Sequence, residues 1–135
     1  MANAVPASAR KLFLDGDIDL LNDTIKAVLV KSSSYTYSSA HDYLDDVTAA
    51  GRVATVTLSS KTTTGGAFDS ADPTFLAVAS GSTVTGLWLY KDTGTESTSP
   101  LIAYYDTQAS SSAISTATSG ADITIAVSAS GWFTI

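Results

Sequence analysis

Cysteine is absent from this 135-residue chain, and charge is scarce: Asp, Glu, Lys and Arg make up 15 % of it. Without cysteine, neither a disulfide framework nor a thiolate metal site is available. Packing and backbone pairing must hold the fold, as suits assembly in a reducing cytosol. Glu96 is the only glutamate and His41 the only histidine. Helical domains lean on Glu and Lys to solvate their outer faces, whereas a surface of Ser and Thr favours strands, because β-branched Thr fits a pleated sheet. No segment approaches a membrane span, and the opening MANAVPASARKLF lacks the apolar core of a signal peptide. A net charge of −6 argues against a protein that binds nucleic acid by neutralising phosphates. The low charge also points to surface that ends up covered by a partner.

What is present begins with an aspartate cluster, DGDIDLLNDTIKAVLV, over residues 15–30. Asp15, Asp17 and Asp19 fall on the first three ligand positions of an EF-hand loop. That loop needs Gly at its sixth position and a bidentate Glu at its twelfth. Counting from Asp15, those positions hold Leu20 and Lys26. The spacing therefore rejects the EF-hand, and the aspartates read as turn residues feeding an apolar run, the alternative being a loose calcium site shared with another loop.

The length fits a single domain. Residues 1–9, small and broken by Pro6, read as an N-terminal arm that orders only when a neighbour captures it. Residues 10–135 read as one β-rich domain. Lys11–Leu14 is a short strand candidate, and Thr24–Lys31 has the continuous apolar character of a strand buried on both faces. Ala40–Gly51 is the one plausible helix, with Tyr43, Leu44 and Val47 at helical spacing and Gly51 as its stop. Beyond it, alternating segments such as RVATVTLSS and STVTGLWLYKD predict strands, and Gly86 marks a bulge or a close approach. QASSSAISTATSG is low in complexity and reads as a mobile loop. The expectation is a mainly β fold, an antiparallel sandwich or barrel of about seven or eight strands with one short helix. The closing GWFTI puts Trp132, Phe133 and Ile135 near a chain end, where burial within the subunit or against another copy would tie them down.

Nothing here composes an active site. His41 beside Asp42 lacks the nucleophile elbow of a serine hydrolase and reads as a cap or packing partner. Asp45 and Asp46 are adjacent, so on a helix their side chains diverge. Gly65-Gly66 lacks the Lys and Ser/Thr of a phosphate loop. No cofactor fingerprint and no metal-ligand spacing emerges. By elimination the chain reads as a binding or structural module, not an enzyme.

Three segments carry a resemblance. DTIKAVLV (residues 23–30) with the following tyrosine loop and YLDDV, then GLWLYKDTG (86–94) and SPLIAYYDT (99–107), are similar to a family of small virion proteins of tailed bacteriophages. The resemblance spans roughly residues 10–135, and its most specific parts are Asp-Thr-Ile-Lys and Tyr-Lys-Asp-Thr-Gly. It departs from the family at AAGRVATVTL, where relatives carry a Gly-X-Gly-Tyr segment. What the resemblance implies is a capsid decoration (cement) protein on the head surface, made in the bacterial cytoplasm and binding the major capsid protein. It also implies a homotrimer. The alternative is a tail, head-fibre or receptor-binding component that offers Tyr35, Tyr37, Tyr104 and Tyr105 to a host glycan. Under the cement reading the partner-binding residues are Ala2, Val5 and Pro6 of the arm, Tyr35 and Tyr37 of the loop, and Trp132, Phe133 and Ile135 of the closing segment.

Overall fold

The computed structural model describes residues 3–109 and 112–135. In chain order its elements are helix α1 (Ala7–Asp15) and strands β1 (Ile25–Val30), β2 (Arg52–Thr57), β3 (Ala67–Phe68), β4 (Thr74–Phe75) and β5 (Thr83–Val84). Strands β6 (Gly86–Lys91), β7 (Leu101–Tyr105), β8 (Thr116–Ala117), β9 (Ile123–Thr124) and β10 (Phe133–Thr134) complete it. The fold is mainly β with antiparallel pairing and one short helix, as the composition predicts.

The four longer strands make a central antiparallel sheet in the order β2-β1-β6-β7. Its middle strands are apolar on both faces, so both faces must be covered. Ala27, Leu29, Leu87 and Leu89 point to one side; Val28, Val30, Trp88 and Tyr90 point to the other. The first side packs on a second β layer built from three short pairs, β3–β10, β4–β9 and β5–β8. Those pairs are nested, so residues 67–84 and 116–134 run antiparallel like the two sides of one long interrupted hairpin. Pro73 and Gly81 help interrupt it, because neither continues a strand. Phe68, Phe75, Val84 and Ile123 from this ribbon join the sheet's leucines in one core. The second side of the sheet is roofed by residues 31–51, through Tyr35, Leu44 and Val47.

That roof is where the expected helix over Ala40–Gly51 fails to form. The segment contains two single 3₁₀ turns, Leu44–Asp46 and Ala49–Gly51. Its backbone is claimed by the sheet edge: Leu44 N–H donates to the Ser99 carbonyl and Leu101 N–H to the Asp42 carbonyl, each at 2.9 Å. The Arg52 side chain then takes the Leu44 and Val47 carbonyls at 2.9 and 2.7 Å, groups an α-helix would have used itself. Leu44 and Val47, three apart, still share one face because a 3₁₀ turn eclipses such positions.

The helix lies instead at the start of the chain. Residues Ala7–Asp15 form α1, so the strand expected at Lys11–Leu14 is absent and the boundary expected after residue 9 falls inside the helix. Ala9, Leu12 and Phe13 lie at helical spacing and pack inward, Ala9 completely. Gly16, at φ 79°, closes the helix with its N–H on the Phe13 carbonyl, and Asp17 N–H reaches the Leu12 carbonyl at 2.9 Å, a Schellman ending. Ahead of the helix the chain is not a loose arm. Ala4 exchanges both backbone hydrogen bonds with Tyr104, at 2.9 and 2.8 Å, and covers part of the β7 edge.

Within QASSSAISTATSG, Ser110 and Ser111 lie outside the described residues. After them Ile114 is buried and Thr118 bonds the backbone of Ser82 through both N–H and hydroxyl. At the other end Trp132 is buried, its Nε1–H donating to Ser70 Oγ at 2.8 Å and its carbonyl accepting the Tyr105 hydroxyl at 2.7 Å. Gly131 makes this seat possible: at φ 92°, any Cβ would stand 2.5 Å from the Phe68 carbonyl oxygen. Replacing Trp132 with Ala is expected to lower the unfolding free energy by about 3–5 kcal/mol, read from denaturant melts; a cost near zero would mean the ring contributes no packing.

Candidate functional site

The two most distinctive sequence segments meet in space. Asp-Thr-Ile-Lys enters β1 and Tyr-Lys-Asp-Thr-Gly leaves β6, and these strands pair antiparallel with Ile25 opposite Lys91 and Lys26 opposite Tyr90. Each segment carries one acid and one base. Asp23 pairs with Lys91 at 3.0 Å and Lys26 with Asp92 at 2.7 Å, every partner about a quarter exposed. Asp92 N–H adds a bond to the Thr24 carbonyl at 2.9 Å. The result is a reciprocal clasp at one end of the central pair. Lys26 holds the Asp92 carboxyl below its usual range, helped by the Gly94 N–H, and Asp92 in turn raises the Lys26 ammonium.

The aspartate cluster feeds this clasp. Asp19 accepts the Leu21 and Asn22 N–H groups and the Asn22 side-chain amide, and the last of these holds its carboxyl low. Asp23 Oδ2 accepts the Asp19 N–H at 2.8 Å. Lys91 Nζ donates to the Asp17 carbonyl at 2.7 Å, and Lys61 Nζ to the Asp23 carbonyl. The acids bind the chain's own amides and ammoniums, which is turn chemistry. Among the described residues no group of three His, Cys, Asp or Glu side chains converges as a metal site would require.

A second polar network lies under the roof. Trp88 Nε1–H donates to the Tyr35 hydroxyl at 2.9 Å, and that hydroxyl shares a hydrogen bond with His41 Nδ1 at 2.7 Å. His41 is therefore a packing partner of a tyrosine, and no serine hydroxyl bonds its ring among the described residues. Burial pushes the Tyr35 phenol up to about 12, and the Tyr104 phenol likewise to about 12. Tyr37 lies against Trp88 and Tyr104 with ring centroids 5.8 and 4.6 Å apart. Gly86 admits this cluster, since a Cβ there would stand 2.4 Å from the Tyr104 hydroxyl. The carboxylates that interact here are Asp42 and Asp46. Asp46 is held low as it accepts the Asp42 N–H, while desolvation and the Asp46 carboxylate raise Asp42.

The expected partner-binding residues distribute unevenly. Ala2 lies outside the described residues. Pro6, Tyr35 and Trp132 are buried within the subunit, and Val5, Tyr37 and Phe133 are half-buried. Ile135 is 70 % exposed. For the glycan alternative, Tyr35, Tyr104 and Tyr105 are all buried, leaving Tyr37 as the one ring of the four with much outward surface. The sequence reading missed three exposed apolar side chains among the described residues, Leu14 at the end of α1, Leu21 ahead of β1 and Leu76 after β4. Leu14 follows the Ala9, Leu12, Phe13 stripe by one position, a signal that becomes visible once α1 is recognised. No protein-family model and no curated protein matches this chain.

Two outcomes follow from these networks. A double-mutant cycle on Lys26→Met and Asp92→Asn is expected to give a coupling of about 0.5–1 kcal/mol at neutral pH. Because the folded Asp92 carboxyl lies below its unfolded value, this stabilisation is present above the unfolded pKa and fades as pH falls through the folded one. A coupling unchanged in acid would contradict the clasp. For Tyr35 the sign reverses: a raised phenol stabilises fully below pH 10 and loses its contribution as pH rises toward about 12. Tyr35→Phe should cost about 1–3 kcal/mol at pH 7 by stranding the Trp88 N–H, and should flatten part of the alkaline loss in chemical denaturation.

Proposed function

We propose that this chain is a structural protein of a tailed-bacteriophage virion, a decoration (cement) protein that binds the outside of the head and stabilises it. Its partners in this reading are the major capsid protein and sister copies, arranged as a homotrimer, after synthesis in the bacterial cytoplasm. The observation that carries the reading is where the family-like segments fall. DTIKAVLV is β1, GLWLYKDTG is β6 with its hairpin, and SPLIAYYDT is β7. These are adjacent strands of one sheet, tied by the reciprocal clasp, so the resemblance lies in a rigid body and not in reactive groups.

Other features fit an adhesive part. The β2 edge of the sheet pairs with no further strand among the described residues. It carries Thr55 and Thr57 outward, and its one charge, Arg52, is folded back onto Glu96 at 2.6 Å. Such an edge is a ready template for another chain. Leu14, Ile135 and Leu76 add exposed apolar surface. A scaffold of this kind supplies binding without chemistry, which is why no catalytic role is assigned to His41, Asp42 or Asp46.

The test is addition of purified protein to heads that lack it. Saturation at a copy number set by capsid symmetry, with greater resistance of the heads to heat, is the expected result. Protein confined to tails, or absent from purified virions, would reject the proposal.

A further inference from the structure

Six of the seven Lys and Arg side chains are engaged within the described residues. Lys11 pairs with Asp15, Lys26 with Asp92, Lys91 with Asp23 and Arg52 with Glu96. Lys31 bonds Ser82 and Lys61 the Asp23 carbonyl. Arg10 is the one whose side chain has no ion pair or hydrogen bond among the described residues. It stands at a pocket of about 220 Å³ whose other walls are Phe13, Leu14 and Ile135. Leu14 is 87 % exposed, so one wall of the pocket stands open to water. An unpaired guanidinium at the rim of an aliphatic pocket asks for two things together: an apolar side chain to fill the pocket and a carboxylate beside it.

The chain carries that combination on another surface. Leu76 follows β4 and is 74 % exposed. It is presented by a turn in which Ala77 takes φ 47°, a left-handed value that costs a non-glycine residue free energy. Asp122 fixes the turn by accepting the Ala77 N–H at 2.8 Å, which places an acid directly beside the leucine. Leu76 does not line the pocket at Arg10, so a copy does not fill its own site.

We propose that the Leu76–Asp122 corner of one copy seats in the pocket of the next, Leu76 against Phe13, Leu14 and Ile135, and Asp122 on Arg10. Charge favours this pairing over other self-contacts. At a net charge of −6, most surfaces of two copies repel, and Arg10 is the cation left over to attract an acid. The contact joins two different surfaces, so it is heterologous and builds a ring where the rotation closes or a filament where it does not. It needs only this chain and is independent of the virion reading.

Sedimentation of the purified full-length chain over a concentration series tests it. The wild type is expected to assemble beyond the monomer. Arg10→Glu, Leu14→Asp and Leu76→Asp should each weaken assembly by at least about tenfold, while circular dichroism confirms the fold. Should Leu14→Asp disturb α1, Ile135→Ser addresses the same pocket from outside the helix. The decisive sample mixes Leu14→Asp with Leu76→Asp. The first keeps an intact corner and the second an intact pocket, so together they should form a one-to-one dimer that grows no further. A wild type that stays monomeric throughout, a variant that assembles like the wild type, or a mixture no larger than its parts would overturn the proposal. So would a pocket variant that fails only to bind heads, because the occupant would then be the capsid protein.

Discussion

Two acid–base pairs, Asp23 with Lys91 and Lys26 with Asp92, fix how β1 lies on β6, and the rest of the molecule is arranged around that slab. Register usually comes from hydrophobic alternation, because a slip of one residue turns a buried face outward. Here that guard is weak, since both faces of β1 and β6 are apolar. A slipped pairing would still bury oil against oil. Charges at the strand ends supply the discrimination that the pattern lacks, and each pair would be broken by a shift of one residue. The division of large and small side chains adds to it: Trp88 and Tyr90 share one face, Leu87 and Leu89 the other.

A slab that is apolar on both sides dictates the two covers. One is the nested ribbon of short pairs carrying Phe68, Phe75 and Ile123; the other is the roof of residues 31–51. The roof must bring polar groups into apolar surroundings, because Tyr35 sits over Trp88. Each of those groups is answered: the indole N–H by the Tyr35 oxygen, and the Tyr35 hydroxyl by a hydrogen bond with His41 Nδ1. A partly satisfied network would cost more than an apolar substitute. The same economy explains the low charge. Most of the cations are consumed in clasps and turns, so solvation falls to Ser and Thr, and Arg10 stands out as a cation with no internal task.

The sequence made the strands legible and the helix misleading. Thr24–Lys31 declared a doubly buried strand through its unbroken apolar run, and Gly86 declared a bulge or a close approach, of which the structure shows the approach, by Tyr104. Ala40–Gly51 had helical spacing, yet its backbone was worth more to the β7 edge and to Arg52, partners far away in sequence. Conversely, Ala9, Leu12 and Phe13 had the spacing of a helix face, but the run is only nine residues long and depends on the core it packs against. The clasp was legible only by half. Its residues were singled out as distinctive, while their mutual pairing depends on strands more than 60 positions apart.

The amino-acid sequence by itself determined the mainly β class, the freedom from disulfides and the apolar continuity of the central strands, because these follow from residue type and local period. It also determined that Asp15, Asp17 and Asp19 lack the spacing of an EF-hand. Only the tertiary structure decided which aspartate met which lysine, that Tyr35 would be spent inside on Trp88 and His41, and that Leu14, Leu76 and Arg10 would be left facing outward. Those outcomes depend on distances between segments remote along the chain, and such distances are set by packing and not by pattern.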